Sequence, residues 1–394
     1  MRIAIFSDNF YPEISGISDS VISLAKELAK RGHFINFYVP RYSPKDYRKV
    51  GAQGSEPDLG PNVKIVRFSS LHVSAGTGQG RAVIPTFWRW LAVKKFRPDV
   101  IHTQLFFGVG LEALIASRKL KVPLVGTNHT AIRAFLNYFS IKTGWFQNGI
   151  IKYMNWYYEK CDLVTTPSRT TFEEMKADGF KKDALVISNP VDTETFHPMM
   201  NKNALKKKFA VGEFTAIHAG RLGAERNVDV ILKALPLVKK EIPKAELAIA
   251  GKGAAEENLR GLAKSLGINQ SLKFLGFLDK PALAEAYNAS KIFVITSISD
   301  TQSMVMMQAM ASGLPVIGVK ARALPEYINP KNGILVEPGD YKNLAKKIIF
   351  LLKNPGTRRN LSEGARSYAV KFSAPAIAQE WEKIYEKVVR DYNK

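Results

Sequence analysis

A single cysteine, Cys161, occurs among 394 residues, which excludes an intrachain disulfide framework and fits a reducing compartment. Alone, it reads as a small buried apolar residue rather than a nucleophile. Histidine is also scarce, with six in the chain, and no Cys or His cluster has the spacing of a metal site, so neither a metal nor a cofactor is expected. No run of about 18 apolar residues occurs, so no spanning helix is expected. The opening MRIAIFSDNFYP carries only a short apolar run before Asp8, which reads as a first strand rather than a signal peptide, and a cytoplasmic location is expected. Acidic side chains are in deficit, 35 against 57 Lys and Arg, for a formal net charge of +22. That excess asks for an anionic partner: lipid, nucleic acid or a phosphorylated ligand. No nucleic-acid-binding motif is recognisable, so nucleic acid is not expected.

What is present suffices for a real core: 46% of residues are hydrophobic and 23% charged, and the length suits two domains. The most informative stretch runs from Lys291 to Gly318. Ile292 to Thr296 is a short β-branched run of the kind that forms a fully buried strand. Ser299 or Asp300 can cap a helix in which Met304, Met307, Met310 and Ala311 recur at helical spacing, until Gly313 and Pro315 stop it. Leu314 to Val319 starts another strand. Such a βαβ unit aims helix N-terminal N–H groups at the carboxyl edge of a parallel sheet, where an anion, best a diphosphate, would sit. Asp300 is otherwise a plain cap and Gln308 a solvent residue.

The same rhythm runs through the first half. A strand over residues 2–6 leads through an open loop into a helix from about Asp19 to Arg31, with Gly16 allowing close backbone approach. The span 44–61 reads as a loop or a poorly ordered insertion. From Arg81 to Arg97 the sequence RAVIPTFWRWLAVKKFR interleaves Trp88, Trp90 and other aromatics with Lys94 and Lys95, as an interfacial helix facing anionic lipid would. An ordinary helix packed on the sheet with a basic edge is the competing interpretation. His102 and His129 fall just after their strands, at the ligand edge. Phe135 to Tyr158, with Tyr138 and Trp145 among its aromatics, reads either as an acceptor and membrane surface or as an aromatic core between helices. Residues 201–213 read as a polar, basic hinge.

In the second half, Phe214 to Ala219 is a strand followed by GRLGAERN at 220–227. Arg221 and Arg226, at a strand end just before a helix, can neutralise a diphosphate by charge-assisted hydrogen bonds; a surface pair between Arg226 and Glu225 is the plainer alternative. Gly251 and Gly253 flank a lysine but lack P-loop context. The last helix of the sequence, 375–394, is expected to pack back on the first domain.

Several of these stretches resemble the retaining GT-B glycosyltransferases of family 4. Their motif is Glu-x7-Glu followed by Ala-Met-Ala-(Ser/Ala)-Gly-x-Pro-Val; here Asp300 and Gln308 stand at the acids, and AMASGLPVIG follows at 309–318. TNHT at 127–130, NPVDTETFHP at 189–198 and the Gly220-Arg221-Leu222 clamp, with Arg226 where lysine is usual, are similar to further family motifs. The resemblance, closest to diacylglycerol glucosyltransferases and other glycolipid synthases, implies an α/β fold of two doubly wound Rossmann-like domains, 1–195 and 210–372, facing each other across a cleft. It implies that His129 and Asp300 orient the donor sugar and that Arg221, Arg226 and the amides of Ser303 and Met304 hold the diphosphate. Gln308 would meet the ribose, Gly276, Phe277 and Leu278 the base, and the Gly16 loop the diphosphate and acceptor. Trp88, Trp90, Lys94, Lys95, Phe135, Tyr138 and Trp145 would serve acceptor and membrane. The implied reaction moves a hexose, from UDP-glucose by preference, to a membrane lipid such as diacylglycerol on the inner face of the membrane, with retention. A soluble sugar acceptor, or a catalytically impaired binding protein, are the alternatives.

Overall fold

The short β-branched runs become the strands of two parallel sheets, each the centre of its own unit: Met1–Pro190 with Ala374–Lys394, and Val191–Ser373. The structure, a computed structural model, describes residues 1–13, 15–49, 56–73, 80–136 and 143–394.

In the first unit, β1 (Arg2–Phe6), α1 (Gly16–Lys30), β2 (Phe34–Pro40), α2 (Pro44–Lys49) and β3 (Val63–Phe68) are followed by a two-residue antiparallel pair, β4 (Leu71–His72) and β5 (Arg81–Ala82). Then come α3 (Trp90–Phe96), β6 (Val100–Thr103), α4 (Gly108–Leu120), β7 (Leu124–Thr127), α5 (Ile132–Leu136), α6 (Gly144–Glu159), β8 (Leu163–Thr166), α7 (Arg169–Ala177) and β9 (Leu185–Val186). The sheet order is β3-β2-β1-β6-β7-β8-β9, all parallel. Buried strands of this kind read as continuous apolar runs, as β1 does in sequence.

Three sequence expectations shift here. Helix α1 begins earlier than Asp19 because Ser15 forms a capping box with Ser18, which makes Gly16 the first helical residue rather than part of an open loop. The span 44–61 is not all loop: the Asp46 carboxylate accepts from the N–H and hydroxyl of Ser43 and starts α2. The segment 81–97 is helical only over α3, whose Val93 is fully buried.

The second unit opens with α8 (Lys202–Phe209) where a hinge was expected. Its four lysines mask an amphipathic helix: Leu205 is buried, and Lys206 and Lys208 pair with Glu213 and Glu285. There follow β10 (Phe214–Ala219), α9 (Val228–Glu241), β11 (Ala245–Ala250), α10 (Glu256–Ser265), β12 (Leu272–Gly276), α11 (Lys280–Ala289), β13 (Ile292–Ile295) and α12 (Met304–Ala311). The unit closes with β14 (Val316–Val319), α13 (Leu324–Tyr327), β15 (Gly333–Val336), α14 (Tyr341–Lys353) and α15 (Pro355–Val370). The order β12-β11-β10-β13-β14-β15 is parallel throughout. Helix α12 is buried on nearly all sides, not only along its methionine stripe.

Helix α16 (Ala374–Tyr392) belongs to the first unit and packs on α1. Glu382 accepts from the Arg31 guanidinium and from His33 (2.8 Å). In both sheets the strand order reverses beside the first strand, between β1 and β6 and between β10 and β13. Ligands of open α/β sheets bind at these switch points, outside the strands' carboxyl ends.

Candidate active site

At the switch point of the second unit, two loops meet. The loop after β10 carries Arg221 and, in a short 3-10 turn over Ala224–Arg226, the second arginine. The neighbouring loop after β11 holds its backbone: Gly220 N–H donates to Ala250 O (2.9 Å) and Leu222 N–H to Lys252 O (3.0 Å). A Cβ at Gly251 would stand 1.9 Å from Gly220 O, and one at Gly253 2.3 Å from Leu222 O. The Gly-Lys-Gly sequence therefore provides clearance for the arginine loop. On the other side, Thr296 Oγ1, after β13, donates to the carbonyls of Arg226 and Asn227, at 2.9 Å each.

The charged groups are already in contact. Arg226 Nη1 donates to both oxygens of Asp300 (2.7 Å each), and Arg221 Nη2 to Glu225 Oε1 (2.7 Å). Burial alone would raise the Asp300 carboxyl, but the Arg226 guanidinium and the Ser297 hydroxyl outweigh it and hold the group below its ordinary value. The expected cap is thereby corrected: neither Ser299 nor Asp300 caps α12, because Asp300 is drawn onto Arg226. The N-cap is Ser303, which makes no side-chain cap bond and whose buried Oγ has no partner. The start of α12, with Met304 as its first residue, thus presents uncapped N–H groups and a spare hydroxyl beside two cations, a combination suited to phosphate oxygens. Gln308 is buried in the body of the same helix. Gly276, at φ +67°, ends β12, and its carbonyl accepts from Gly251 N–H at 2.7 Å. Phe277 beyond it is 39% exposed.

Sequence reasoning passed over His218. It is buried within β10, its Nδ1–H donates to Val294 O (3.0 Å), and its Nε2 has no partner. Burial pushes its pKa down to about 4. A histidine in a mostly apolar strand one residue before its end was the available signal.

In the first unit, His129 is buried at the carboxyl end of β7, 2.8 Å from Gln104 Oε1. Burial pushes its pKa down to about 4, so it is neutral. His102 is locked between Tyr385 OH and Thr127 Oγ1, 2.7 Å from each, and packs on Trp381. Asp8, also passed over, follows β1 and accepts from Val109 N–H (2.9 Å) at the start of α4, with its pKa raised by burial to about 6.

The aromatic stretches divide. Trp88 is 73% exposed and Trp145 76%, with Phe87, Ile84, Leu91 and Trp156 also exposed. Trp90 instead packs partly buried against the core, with Lys94 Nζ 5.9 Å from its ring centre, while Lys95 is exposed. Tyr157 and Tyr158 are fully buried core residues. Phe135 lies in the backbone of α5, but its side chain, like Tyr138 as a whole, falls outside the described residues. Among the described residues no helix is long and apolar enough to cross a membrane.

Two parallel Rossmann-like sheets, each with helices between its strands, make up the α/β architecture of the GT-B fold. Anabaena HepE, solved in complex with UDP, matches at a TM-score of 0.77, with 18% identity over 98% of this chain and all of that one. Residues 14–195 match Glycosyltransferase Family 4, and residues 200–368 match Glycosyl transferases group 1. The chain is a glycosyltransferase of this family, built from those two domains. It is 28% identical to the alpha-monoglucosyldiacylglycerol synthase of Streptococcus pneumoniae, over 80% of this chain and 70% of that protein. It is 27% identical to a GDP-mannose-dependent alpha-mannosyltransferase of Mycobacterium tuberculosis, over 98% of this chain and 97% of that protein.

Proposed function

We propose that this glycosyltransferase moves a hexose from a nucleoside diphosphate sugar, UDP-glucose by preference, to a hydroxyl of a membrane lipid, with retention at the anomeric carbon. The observation that carries the donor half is that the loop bearing Arg221 and Arg226 meets, through the Arg226–Asp300 pair, the segment that leads into the uncapped, Ser303-headed start of α12. There the guanidinium and amide groups would take up the charge that develops as the sugar–phosphate bond breaks. The acceptor oxygen bonds to the anomeric carbon, the diphosphate leaves, and a phosphate oxygen takes the acceptor proton. His129, neutral at physiological pH, would hydrogen-bond the sugar rather than carry charge.

The lipid half is supported by the exposed Trp88 and Trp145 in a chain of net charge +22, and by the likeness to a glycolipid synthase. Tryptophan at the headgroup level and cations against anionic phosphate are how peripheral enzymes hold an inner leaflet. The mannosyltransferase relative favours a second reading, a GDP-mannose donor.

A thermal-shift screen of UDP-glucose, UDP-galactose and GDP-mannose, followed by transfer assays on diacylglycerol vesicles and on soluble sugars, tests both halves. UDP-glucose is expected to raise Tm most and diacylglycerol to be glucosylated. No shift and no transfer with any donor would leave a binding protein in place of an enzyme acting on these substrates. Because protein cations neutralise the diphosphate in this reading, transfer is expected to survive EDTA; its loss, restored by a divalent ion, would refute that assignment.

A further inference from the structure

The first unit's sheet ends in two buried amide donors that have no partner among the described residues. Gln104 is the first residue after β6 and Asn128 the first after β7, on neighbouring strands whose last paired residues are Thr103 and Gly126. They are 2% and 1% exposed. Their backbones are pinned, Gln104 N–H to Phe6 O and Asn128 N–H to Thr165 O, both at 2.9 Å, so rigid strands set their positions. Each amide spends its oxygen internally: Gln104 Oε1 accepts from His129 Nε2–H, and Asn128 Oδ1 from Thr130 N–H (2.9 Å). Gln104 Nε2 and Asn128 Nδ2 are left without partners. Buried N–H groups are nearly always paired, since leaving one unmade forfeits its hydration. Two at adjacent strand ends, one of them on a switch-point strand, mark a place where a ligand supplies the acceptors.

The chemistry of the place narrows the ligand. Gln104, Asn128, His129 and Thr130 bring no cation to these strand ends, and the carboxylate of Asp8 stands at the end of neighbouring β1. An anion would meet no cation among these described residues, and an apolar group would leave both donors unmade. A neutral, hydroxyl-rich molecule fits.

We propose that Gln104 and Asn128 are substrate-binding residues whose amide N–H groups donate to hydroxyl oxygens of a polyol, either the hexose of the donor or a hydroxylated acceptor headgroup. The inference rests on the glycosyl-transfer reading above. By holding His129 Nε2–H, Gln104 also fixes the histidine tautomer, so the three side chains act as one hydroxyl-reading surface.

The test uses the full chain with Gln104→Met, which keeps length but no donor, and Asn128→Asp, which keeps the acceptor for Thr130 and loses the donors. Gln104→Glu and Asn128→Ser replace either variant that fails to fold. Thermal shifts with UDP and with UDP-glucose are compared, and KM is measured separately for donor and acceptor. If the hexose is the ligand, the UDP shift is kept, the extra shift due to glucose is lost, and donor KM rises about three- to tenfold per variant. If the acceptor is the ligand, both shifts are kept and acceptor KM rises by that factor instead. Either outcome supports the proposal. Variants in which the glucose increment and both KM values stay within twofold of wild type overturn it. A wild-type protein that neither binds nor uses any nucleoside diphosphate sugar would instead overturn the glycosyl-transfer reading itself, and this inference with it.

Discussion

Arg226 and Asp300 form a pair in which each residue departs from the family motif in a complementary way. The cation is longer than the lysine of the motif this stretch resembles and the acid is shorter by one methylene than its glutamate, so the two exchanges offset each other in length across the contact. Arg226→Lys and Asp300→Glu are each expected to lower kcat/KM at least about tenfold, and the double variant to recover most of the loss. Strictly multiplicative losses would show that the two residues act independently. Arg221→Ala should abolish transfer, because it removes one of the two cations of that loop while the other, Arg226, is engaged by both oxygens of Asp300; turnover within a few-fold of wild type would refute its role at the diphosphate. Histidine burial gives a pH signature. His102, His129 and His218 have pKa values lowered by burial to about 3, 4 and 4. The folded state keeps them neutral while the unfolded chain takes up protons below pH of about 6.5. Their stabilisation is complete above that value and is lost as pH falls toward 4. A His102→Gln variant, though less stable overall, should therefore show a Tm that falls less steeply over that window; a slope equal to wild type would refute the buried neutral assignment.

At the level of elements, the loop after β11 is a scaffold for the arginine loop. Gly253→Ala should push Leu222 O aside, destabilise the second unit by roughly 1–3 kcal/mol and lower kcat through the displaced Arg221. An unchanged Tm and kcat would mean the clearance at Gly253 is not needed. Elements were legible in sequence where a single signal dominated: the strand read from Phe214 to Ala219 is β10 with those bounds. That the arginine loop and the start of α12 come together in the second unit was legible through spacing, since both follow neighbouring strands at their carboxyl ends. Elements were missed where local chemistry competed with composition. Helix α8 is hidden by its lysines, α2 depends on Ser43 and Asp46 finding each other, and Trp88 and Trp90 take opposite fates because α3 begins between them. Gln104 and Asn128 carried no sequence signal at all, since only burial and unmade hydrogen bonds distinguish them from other amides.

Across the whole molecule, the positive charge and the exposed tryptophans make a joint prediction. Flotation with anionic vesicles should be strong at low salt and weaken as screening shortens the electrostatic range to about 8 Å at physiological ionic strength. Trp88→Ala with Trp145→Ala should lower vesicle partition several-fold while leaving the UDP thermal shift intact, because both side chains lie outside the unit that carries the arginine loop. Absence of vesicle binding at low salt would refute the lipid acceptor.

Residues 191–373 are spliced into the midst of a unit whose remaining helix is α16. A nascent chain leaving the ribosome can finish the inserted unit first, while the unit begun at Met1 waits for Trp381, Glu382 and Tyr385 to cover His102 and His33. Stopping synthesis at Ser373 would thus injure the region made earliest rather than the one made last.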